Sequence, residues 1–184
     1  VIGTGTIGEP LIGLLTEMKG PLGIDEVTFH KRTPLLHDRS KVVNLTKRGA
    51  KLCVDAGAKK GFQDLGMEPA YESMDALERA SVVIDCTPSG VGIANKNEFY
   101  SKFTHNTRGF IAQGSEFGFG KPYARGINDS ALRQGEDQFI RSLANDGRGH
   151  LTADVEMVSP GGHPLAGTVV VSDGQGVSAL TFRW

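Results

Sequence analysis

Cysteine, long apolar runs and net charge are all scarce in this sequence. Its 184 residues include two cysteines, which give neither a disulfide framework nor the spacing of a metal site. The net charge of −1 gives no gross attraction to nucleic acid or to an anionic membrane. Its apolar runs are too short to cross a bilayer. We therefore expect no metal, no nucleic-acid partner, no membrane partner, and a reducing, cytoplasmic setting.

The sequence begins with Val1 rather than methionine, and a glycine motif follows almost at once. A strand that leads into such a motif normally supplies about five residues. We therefore expect the natural chain to begin before Val1. Because 39% of the residues are hydrophobic, the chain can bury one substantial core.

Residues 3–8 have the pattern G-x-G-x-x-G, and a helical pattern follows them directly. In a dinucleotide-binding turn, Gly3 would let the chain leave a strand sharply and Gly5 would let a pyrophosphate approach the backbone. Gly8 would let the next helix pack closely on that strand. The start of this helix would present free N–H groups to a phosphate. A glycine-rich turn without a ligand is the alternative, since the motif alone is a weak signal.

The helix after the motif is predicted by its ends and by its apolar spacing. Pro10 suits the first turn and Gly20 suits the end. The apolar side chains expected to face the core recur at i, i+3, i+4 and i+7, and they are Leu11, Leu14, Leu15 and Met18.

The chain is basic where a second strand, residues 26–30, is expected to end. A dinucleotide fold binds the adenosine ribose at this place, and an NAD site usually has an acidic side chain there. Here Lys31 and Arg32 follow the third glycine by roughly the expected 20 residues. A cation can pair with the 2′-phosphate of NADP. We therefore predict a site for NADP, with NAD as the second candidate; a solvated basic loop is the alternative.

Strands and helices alternate along most of the chain, which indicates an α/β fold with a Rossmann-like, doubly wound parallel sheet. The clearest buried strand covers residues 81–86 and leads into a small polar turn. Ser73 is expected to cap one of the helices. The other predicted elements are helices at residues 38–48, 56–65, 73–79 and 96–103, and strands at 51–54 and 109–113.

The pattern changes after residue 141. Runs at residues 151–158, 168–171 and 178–182 predict short antiparallel strands. We therefore divide the chain into an NAD(P)-binding Rossmann domain, residues 1–141, and a β-rich segment, residues 142–184. The second part is either a remnant of a catalytic domain or a small β module.

Four segments together resemble the N-terminal, cofactor-binding half of the archaeal-type (type II) glyceraldehyde-3-phosphate dehydrogenases. Arg32 and Thr33 stand in the opposite order from the family's usual Thr-Arg, and Ser115 replaces a glycine. The four segments are the glycine motif at 3–8, the basic segment at 30–34, the strand and turn at 83–92, and the Q-G-S-E turn at 113–116.

The resemblance implies roles for particular residues. Lys31 would help to hold a 2′-phosphate, in agreement with the charge argument, and Thr87 and Pro88 would lie beneath the nicotinamide riboside. Others would lie along the same crevice. The whole predicted cofactor site consists of Gly3, Gly5, Thr6, Ile7, Gly8, Lys31, Arg32, Thr87, Pro88 and Gly114.

The family's chemistry needs a cysteine that is absent from the matching place. Its thiolate attacks an aldehyde to give a thiohemiacetal, hydride passes to the nicotinamide, and phosphate releases the acyl group. No cysteine follows Cys86, so no catalytic residue is predicted in this sequence. Cys86 is expected to be a buried packing residue rather than a substitute nucleophile. His150 and His163 are expected to be surface histidines rather than bases.

Three explanations are open for the missing cysteine: an ordered subset of a longer chain, a deletion or fusion, or a relative that binds cofactor without the chemistry. The resemblance implies an NADP-preferring glyceraldehyde-3-phosphate dehydrogenase-like oxidoreductase that acts on a small phosphorylated aldehyde in glycolysis, and we expect a homo-oligomer. The aromatic, glycine-rich residues 117–123 are either a subunit contact or a loop packed within the chain. The alternative functions are a non-catalytic nucleotide-binding or scaffold protein, and another NADP-dependent aldehyde or semialdehyde dehydrogenase.

Overall fold

A computed structural model describes residues 1–113, 116–124, 130, 132, 137–142, 150–158, 164–172 and 179–182, the last three ranges by their backbone. The chain forms two compact units, Val1–Phe110 and Ile111–Trp184. The sequence predicts that the cofactor domain ends at residue 141, and this boundary stays a prediction.

The first unit is built on a parallel sheet in which Ile2 has a central place. Ile2 pairs in parallel with His30 on one side and with Asp85 on the other. The strands are β1 (Thr28–His30), β2 (Lys51–Val54), β3 (Tyr71–Glu72), β4 (Val82–Asp85) and β5 (Gly109–Ala112). On the His30 side, β1 pairs in parallel with β2, and β2 pairs in parallel with β3. On the Asp85 side, β4 lies next to β5.

Helices alternate with these strands, which confirms the Rossmann-like α/β arrangement. The helix predicted at residues 96–103 begins earlier, at Val91, because Gly90 has φ 86° and turns the chain directly into it. Among the described residues, no helix has the length and apolar character needed to cross a membrane. The helices are α1 (Gly8–Glu17), α2 (Lys19–Leu22), α3 (Arg39–Lys47), α4 (Lys59–Asp64), α5 (Ser73–Arg79) and α6 (Val91–Glu98).

The core of the first unit packs side chains of β1 and β2 against α1, α3 and α4. This burial of apolar surface fixes the sheet and so holds the carboxyl ends of its strands in place. The fully or almost fully buried members are Ile12, Val27, Phe29, Val42, Leu45, Ala50, Leu52, Val54, Phe62 and Met67.

The face that α1 buries differs from the predicted one. Leu14 is 56% exposed and Met18 is 39% exposed, so the prediction that both face the core is wrong. The buried face is offset from the predicted one, because Ile12, which is fully buried in the core, lies on it together with Thr16, one turn further along the helix. Gly13 is buried against the side chain of Arg48, whose guanidinium would lie 2.4 Å from a Cβ atom at that position.

Ser73 begins α5, but its side chain does not cap the helix. Its hydroxyl donates instead to Oδ1 of Asp55, at 2.7 Å. The predicted cap is therefore wrong, because the Ser73 hydroxyl binds the carboxylate of Asp55, just after β2, instead of the backbone at the start of α5.

Among its described residues, the second unit contains the end of β5, a parallel pair of strands and an antiparallel meander. The parallel pair is β6 (Lys121–Tyr123) and β7 (Phe139–Ser142). The meander confirms the predicted antiparallel segment, with β9 between the other two strands. Its strands are β8 (His150–Val158), β9 (Pro164–Ser172) and β10 (Ala179–Phe182). His163 and residues 173–176, between the last two predicted strands, lie outside the described residues.

Aromatic residues of the predicted contact loop pack within the second unit. Phe119 is fully buried and meets Phe139 edge-on, with ring centroids 5.7 Å apart. Phe117 is 65% exposed, and the guanidinium of Arg141 lies 4.4 Å from its ring centroid. Packing within the chain therefore accounts for Phe119, and the expected homo-oligomer stays a prediction.

Candidate cofactor site

The glycine turn begins at a position where only glycine fits. Gly3 has φ 93°, which L side chains rarely adopt. A Cβ atom there would also lie 2.8 Å from the carbonyl oxygen of Cys86. Gly3 therefore allows the chain to turn sharply off the central position of the sheet while it touches the end of β4.

The other two glycines of the motif differ in what surrounds them. A Cβ atom on Gly8 would lie 1.9 Å from the carbonyl oxygen of Gly3, so α1 packs against the turn as closely as backbone allows. A Cβ atom on Gly5 would have no atom within 4 Å, and its φ is not positive. Sterics within the chain thus explain Gly3 and Gly8 but leave the glycine at position 5 unexplained. Open space at this position is what a pyrophosphate on the backbone requires.

The first turn of α1 contributes a backbone N–H donor to the glycine turn. Its N-cap residue is Ile7, whose side chain has no acceptor for the first N–H groups of the helix. Of these groups, the N–H of Glu9 donates to the carbonyl oxygen of Gly5, at 3.1 Å, and Pro10 has no N–H. The N–H of Gly8 and the positive end of the helix dipole therefore favour an anion at the turn. The residues of the turn therefore fit a phosphorylated cofactor.

Lys31 lies at the end of β1, as predicted, but it already has a partner. Its ammonium nitrogen is 2.7 Å from Oδ2 of Asp38, which is 8% exposed. The hydrogen bond from Lys31 holds the pKa of Asp38 below its ordinary value. Lys31 thus neutralises a carboxylate that would otherwise place negative charge beside the predicted 2′-phosphate site.

Arg32 is exposed at the same strand end. Within the part of the chain that the structure describes, no carboxylate pairs with its guanidinium, in contrast to Lys31. The net positive charge of this corner therefore comes from Arg32, and its fork of donors suits a phosphate.

A further cation, Lys41, lies at the glycine turn and was not predicted. The ammonium nitrogen of Lys41 in α3 is 3.0 Å from Oε2 of Glu9 and 3.5 Å from the carbonyl oxygen of Thr4. Glu9 is in the first turn of α1, where its carboxylate interacts favourably with the helix dipole but repels an anionic ligand. Lys41 offsets that repulsion. The sequence signal was only its place in a run of basic residues.

A cavity of about 330 Å³ opens beside the glycine turn in the first unit. Four predicted site residues line it together, namely Gly3, Lys31, Arg32 and Thr87. Gly5, Thr6, Ile7 and Pro88 lie at the exposed surface outside its lining, and Gly8 is buried. Gly114 lies outside the described residues. The crevice is therefore open, and the basic strand end faces it.

Another polar cluster in the cavity wall was missed from sequence. Nε2 of His30 lies 3.1 Å from Oδ1 of Asp55, which also accepts the hydroxyl of Ser73. Burial lowers the pKa of His30 below its ordinary value, although Asp55 opposes that shift. The imidazole is therefore neutral at pH 7 and available for hydrogen bonding. Parallel pairing of β1 with β2 brings these residues together, and no local pattern signals it.

Neither cysteine forms a disulfide, and both are buried. Desolvation raises the pKa of Cys53 to about 11, so its thiol is not a nucleophile at neutral pH. Cys86 is 9% exposed and lies where β4 ends against Ile2. In the described part of the chain, no group of three or more His, Cys, Asp or Glu side chains is placed to hold a metal ion.

Comparison with known proteins identifies relatives in archaea. The chain is 30% identical over 116 residues to a glyceraldehyde-3-phosphate dehydrogenase of Pyrobaculum arsenaticum, a match that covers 63% of this chain. It is 31% and 30% identical over 78 residues to the glyceraldehyde-3-phosphate dehydrogenases of Methanobacterium bryantii and Methanobacterium formicicum, matches that cover 35% of this chain. The resemblance to the archaeal dehydrogenases is confirmed.

The similarity to these dehydrogenases is partial. The match covers 31% of the length of the Pyrobaculum dehydrogenase and 23% of each Methanobacterium dehydrogenase. No protein-family model matches the chain.

Proposed function

We propose that this chain binds a nicotinamide cofactor as part of a glyceraldehyde-3-phosphate dehydrogenase-like oxidoreductase, with NADP preferred over NAD. The archaeal relatives support a dehydrogenase of this kind. The geometry of the first unit supports the cofactor. Gly3 of the glycine turn lines one crevice together with the basic strand end at Lys31 and Arg32, and the backbone of the same turn is open at Gly5.

The position of Gly5 is the observation that carries the proposal. Gly3 and Gly8 would be needed in any fold with this turn, because a Cβ atom would collide with backbone at both. Gly5 has free space around it, so the turn leaves room there for a pyrophosphate to approach the backbone. In this proposal the N–H of Gly8 and the positive end of the α1 dipole bind the pyrophosphate, and Lys41 offsets the charge of Glu9.

NADP preference is proposed to come from two cations with different tasks. Arg32 pairs with the 2′-phosphate through its guanidinium. Lys31 keeps Asp38 neutralised, so that the buried carboxylate does not repel the phosphate or bind a ribose hydroxyl as an NAD site would. Thr87, at the other wall of the cavity, contacts the nicotinamide riboside.

Fluorescence titrations with NADPH and NADH test this assignment. The wild-type chain should bind NADPH more tightly, and Lys31→Glu should erase the preference because it puts a second carboxylate beside Asp38. Gln63→Ala serves as control, since Gln63 forms an exposed hydrogen bond with Glu68 outside the cavity lining. Equal affinities of the wild-type chain for NADPH and NADH would contradict the roles given to Lys31 and Arg32.

The proposed reaction is the oxidation of a small phosphorylated aldehyde through a cysteine thiohemiacetal. A bound nicotinamide supplies the hydride acceptor. The cysteine is proposed to lie outside these 184 residues, since Cys53 and Cys86 are both buried. The subunits are proposed to form a homo-oligomer in the cytoplasm, and a semialdehyde is the rival substrate that a turnover assay would separate.

The burial of both thiols favours one alternative function. A protein with this cofactor site and no reactive cysteine would be a nucleotide-binding or scaffold protein. The mass of the protein isolated from its own cells distinguishes the two. A mass near 19.6 kDa favours the non-catalytic alternative, and a mass about two or three times larger leaves room for the missing cysteine.

A further inference from the structure

The carboxylate of Asp85 is almost completely buried, with 1% of the residue exposed. It ends β4 and accepts four hydrogen bonds. Oδ1 accepts from the backbone N–H of Thr87, at 2.9 Å, and from the Thr87 hydroxyl. Oδ2 accepts from the side-chain amide of Asn95, at 3.0 Å, and from the hydroxyl of Tyr100, at 2.5 Å.

The donors around Asp85 are suited to an ionised carboxylate. Burial raises the pKa of Tyr100, and the neighbouring Asp85 raises it further, so the phenol keeps its proton and donates. Tyr100 is itself held by stacking on Phe110, with ring centroids 5.4 Å apart. A buried carboxylate is tolerated only with such a set of partners, and the set fixes the geometry of each partner in turn.

The residues that Asp85 holds are the wall of the cofactor crevice. Thr87, Asn95 and Tyr100 all line the cavity, whereas Asp85 does not. The same strand end touches the glycine turn, because a Cβ atom on Gly3 would lie 3.2 Å from the backbone nitrogen of Thr87. This wall lies at the end of β4, on the opposite side of Ile2 from β1, which carries Lys31 and Arg32. A dinucleotide bound across the central position would place its adenosine end at β1 and its nicotinamide end at β4.

We propose that Asp85 is a positioning residue for the nicotinamide end of the cofactor: it fixes Thr87 through two hydrogen bonds and joins that turn to α6 and Tyr100. It touches no ligand itself. The inference rests on the proposed function, since it takes the crevice to be the cofactor site.

Two ligands separate this role from a merely structural one. NADPH reaches both walls of the crevice, whereas 2′,5′-ADP carries only the adenosine end with its 2′-phosphate. Asp85→Asn keeps the shape but replaces one acceptor oxygen by an amide donor that faces other donors. We expect this variant to raise the Kd for NADPH by about tenfold or more and to change the Kd for 2′,5′-ADP by less than about twofold.

Matched variants keep the test decisive if Asp85→Asn does not fold. Thr87→Val removes the hydroxyl that Asp85 accepts, and Thr87→Ser keeps it, so we expect the valine variant to lose NADPH affinity and the serine variant to recover most of it. Gln63→Ala is the control for handling and folding, because it alters an exposed hydrogen bond outside the cavity lining.

Equal weakening of NADPH and 2′,5′-ADP in Asp85→Asn would show a general structural role and overturn the proposal. Unchanged NADPH binding in Asp85→Asn, or equal NADPH affinities in Thr87→Val and Thr87→Ser, would overturn it as well. A wild-type chain that binds neither ligand would instead refute the cofactor site, and this result is distinct because it appears before any variant is made.

Discussion

Replacing Gly5 by alanine separates the needs of a ligand from the needs of the fold. The added methyl group would meet no atom within 4 Å, and Gly5 does not have a positive φ. Alanine should therefore be tolerated, and the smaller entropy of the unfolded chain should raise the free energy of unfolding by about 0.4–1 kcal/mol. Cofactor binding should respond in the opposite direction, because the methyl group fills the space through which a pyrophosphate approaches the backbone.

The effect of Gly5→Ala can be compared with the effects of the same substitution at Gly20 and at Gly8. For Gly5→Ala we expect the Kd for NADPH to rise by about tenfold or more, which corresponds to about 1.4 kcal/mol. Gly20→Ala is the matched control, since its Cβ atom would also meet nothing within 4 Å and it lies far along the sequence from the turn. Gly8→Ala should lose about 1–3 kcal/mol of stability or more, because its Cβ atom would lie 1.9 Å from the carbonyl oxygen of Gly3.

Chemical denaturation and NADPH titration of the same three variants provide the assay. We expect Gly5→Ala to be at least as stable as the wild-type chain and deficient in NADPH binding, while Gly20→Ala is at least as stable and binds NADPH normally. If Gly5→Ala binds NADPH as the wild-type chain does, the open position is not the path of the pyrophosphate. If Gly8→Ala is as stable as the wild-type chain, the close packing of α1 on the turn is refuted.

Three further predictions concern the cations, the thiols and the histidine of the cavity. Arg32→Gln should weaken NADPH binding by about tenfold and leave NADH binding unchanged, since a hydrogen bond to a charged group is worth about 1.5–3 kcal/mol; equal losses for both cofactors in the titration would argue against contact with the 2′-phosphate. Cys53 and Cys86 should react slowly with iodoacetamide in the native chain at pH 8 and fully in guanidinium, as followed by mass spectrometry; rapid native labelling of Cys86 would revive it as a nucleophile. The pKa of His30 is lowered in the folded chain, so the unfolded chain binds more protons below about pH 6.5 and stability should decline as the pH falls from 7.5 to 5.5. Denaturation curves should show a smaller decline for His30→Gln, and an equal decline in both proteins would contradict the shifted pKa.

The sequence predicted the fold well because the strands and helices of the first unit alternate with clear punctuation. Apolar runs such as β4 can be recognised from their composition alone. The face of α1 could not be, because its contacts depend on how closely it approaches its neighbours. Leucines at helical spacing suggested one face, whereas Ile12 and Thr16 are the side chains that the fold buries.

The predicted site residues came from a local motif, and the missed ones from pairing between distant segments. Gly3 and Lys31 could be found because the spacing of a glycine turn and a strand end is fixed within one βαβ unit. Asp55 meets His30 only because their strands pair, and Ser73 gives up a local cap to join them. Asp85 did leave a signal, since a charged residue at the end of an apolar strand must find partners.

The most direct test of the central claim is a crystal structure of the chain with NADP⁺ bound. We predict the pyrophosphate against the backbone at Gly5 and the first turn of α1, and the 2′-phosphate within hydrogen-bonding distance of the Arg32 guanidinium. A cofactor bound elsewhere, or with its 2′-phosphate turned away from Lys31 and Arg32, would contradict the account.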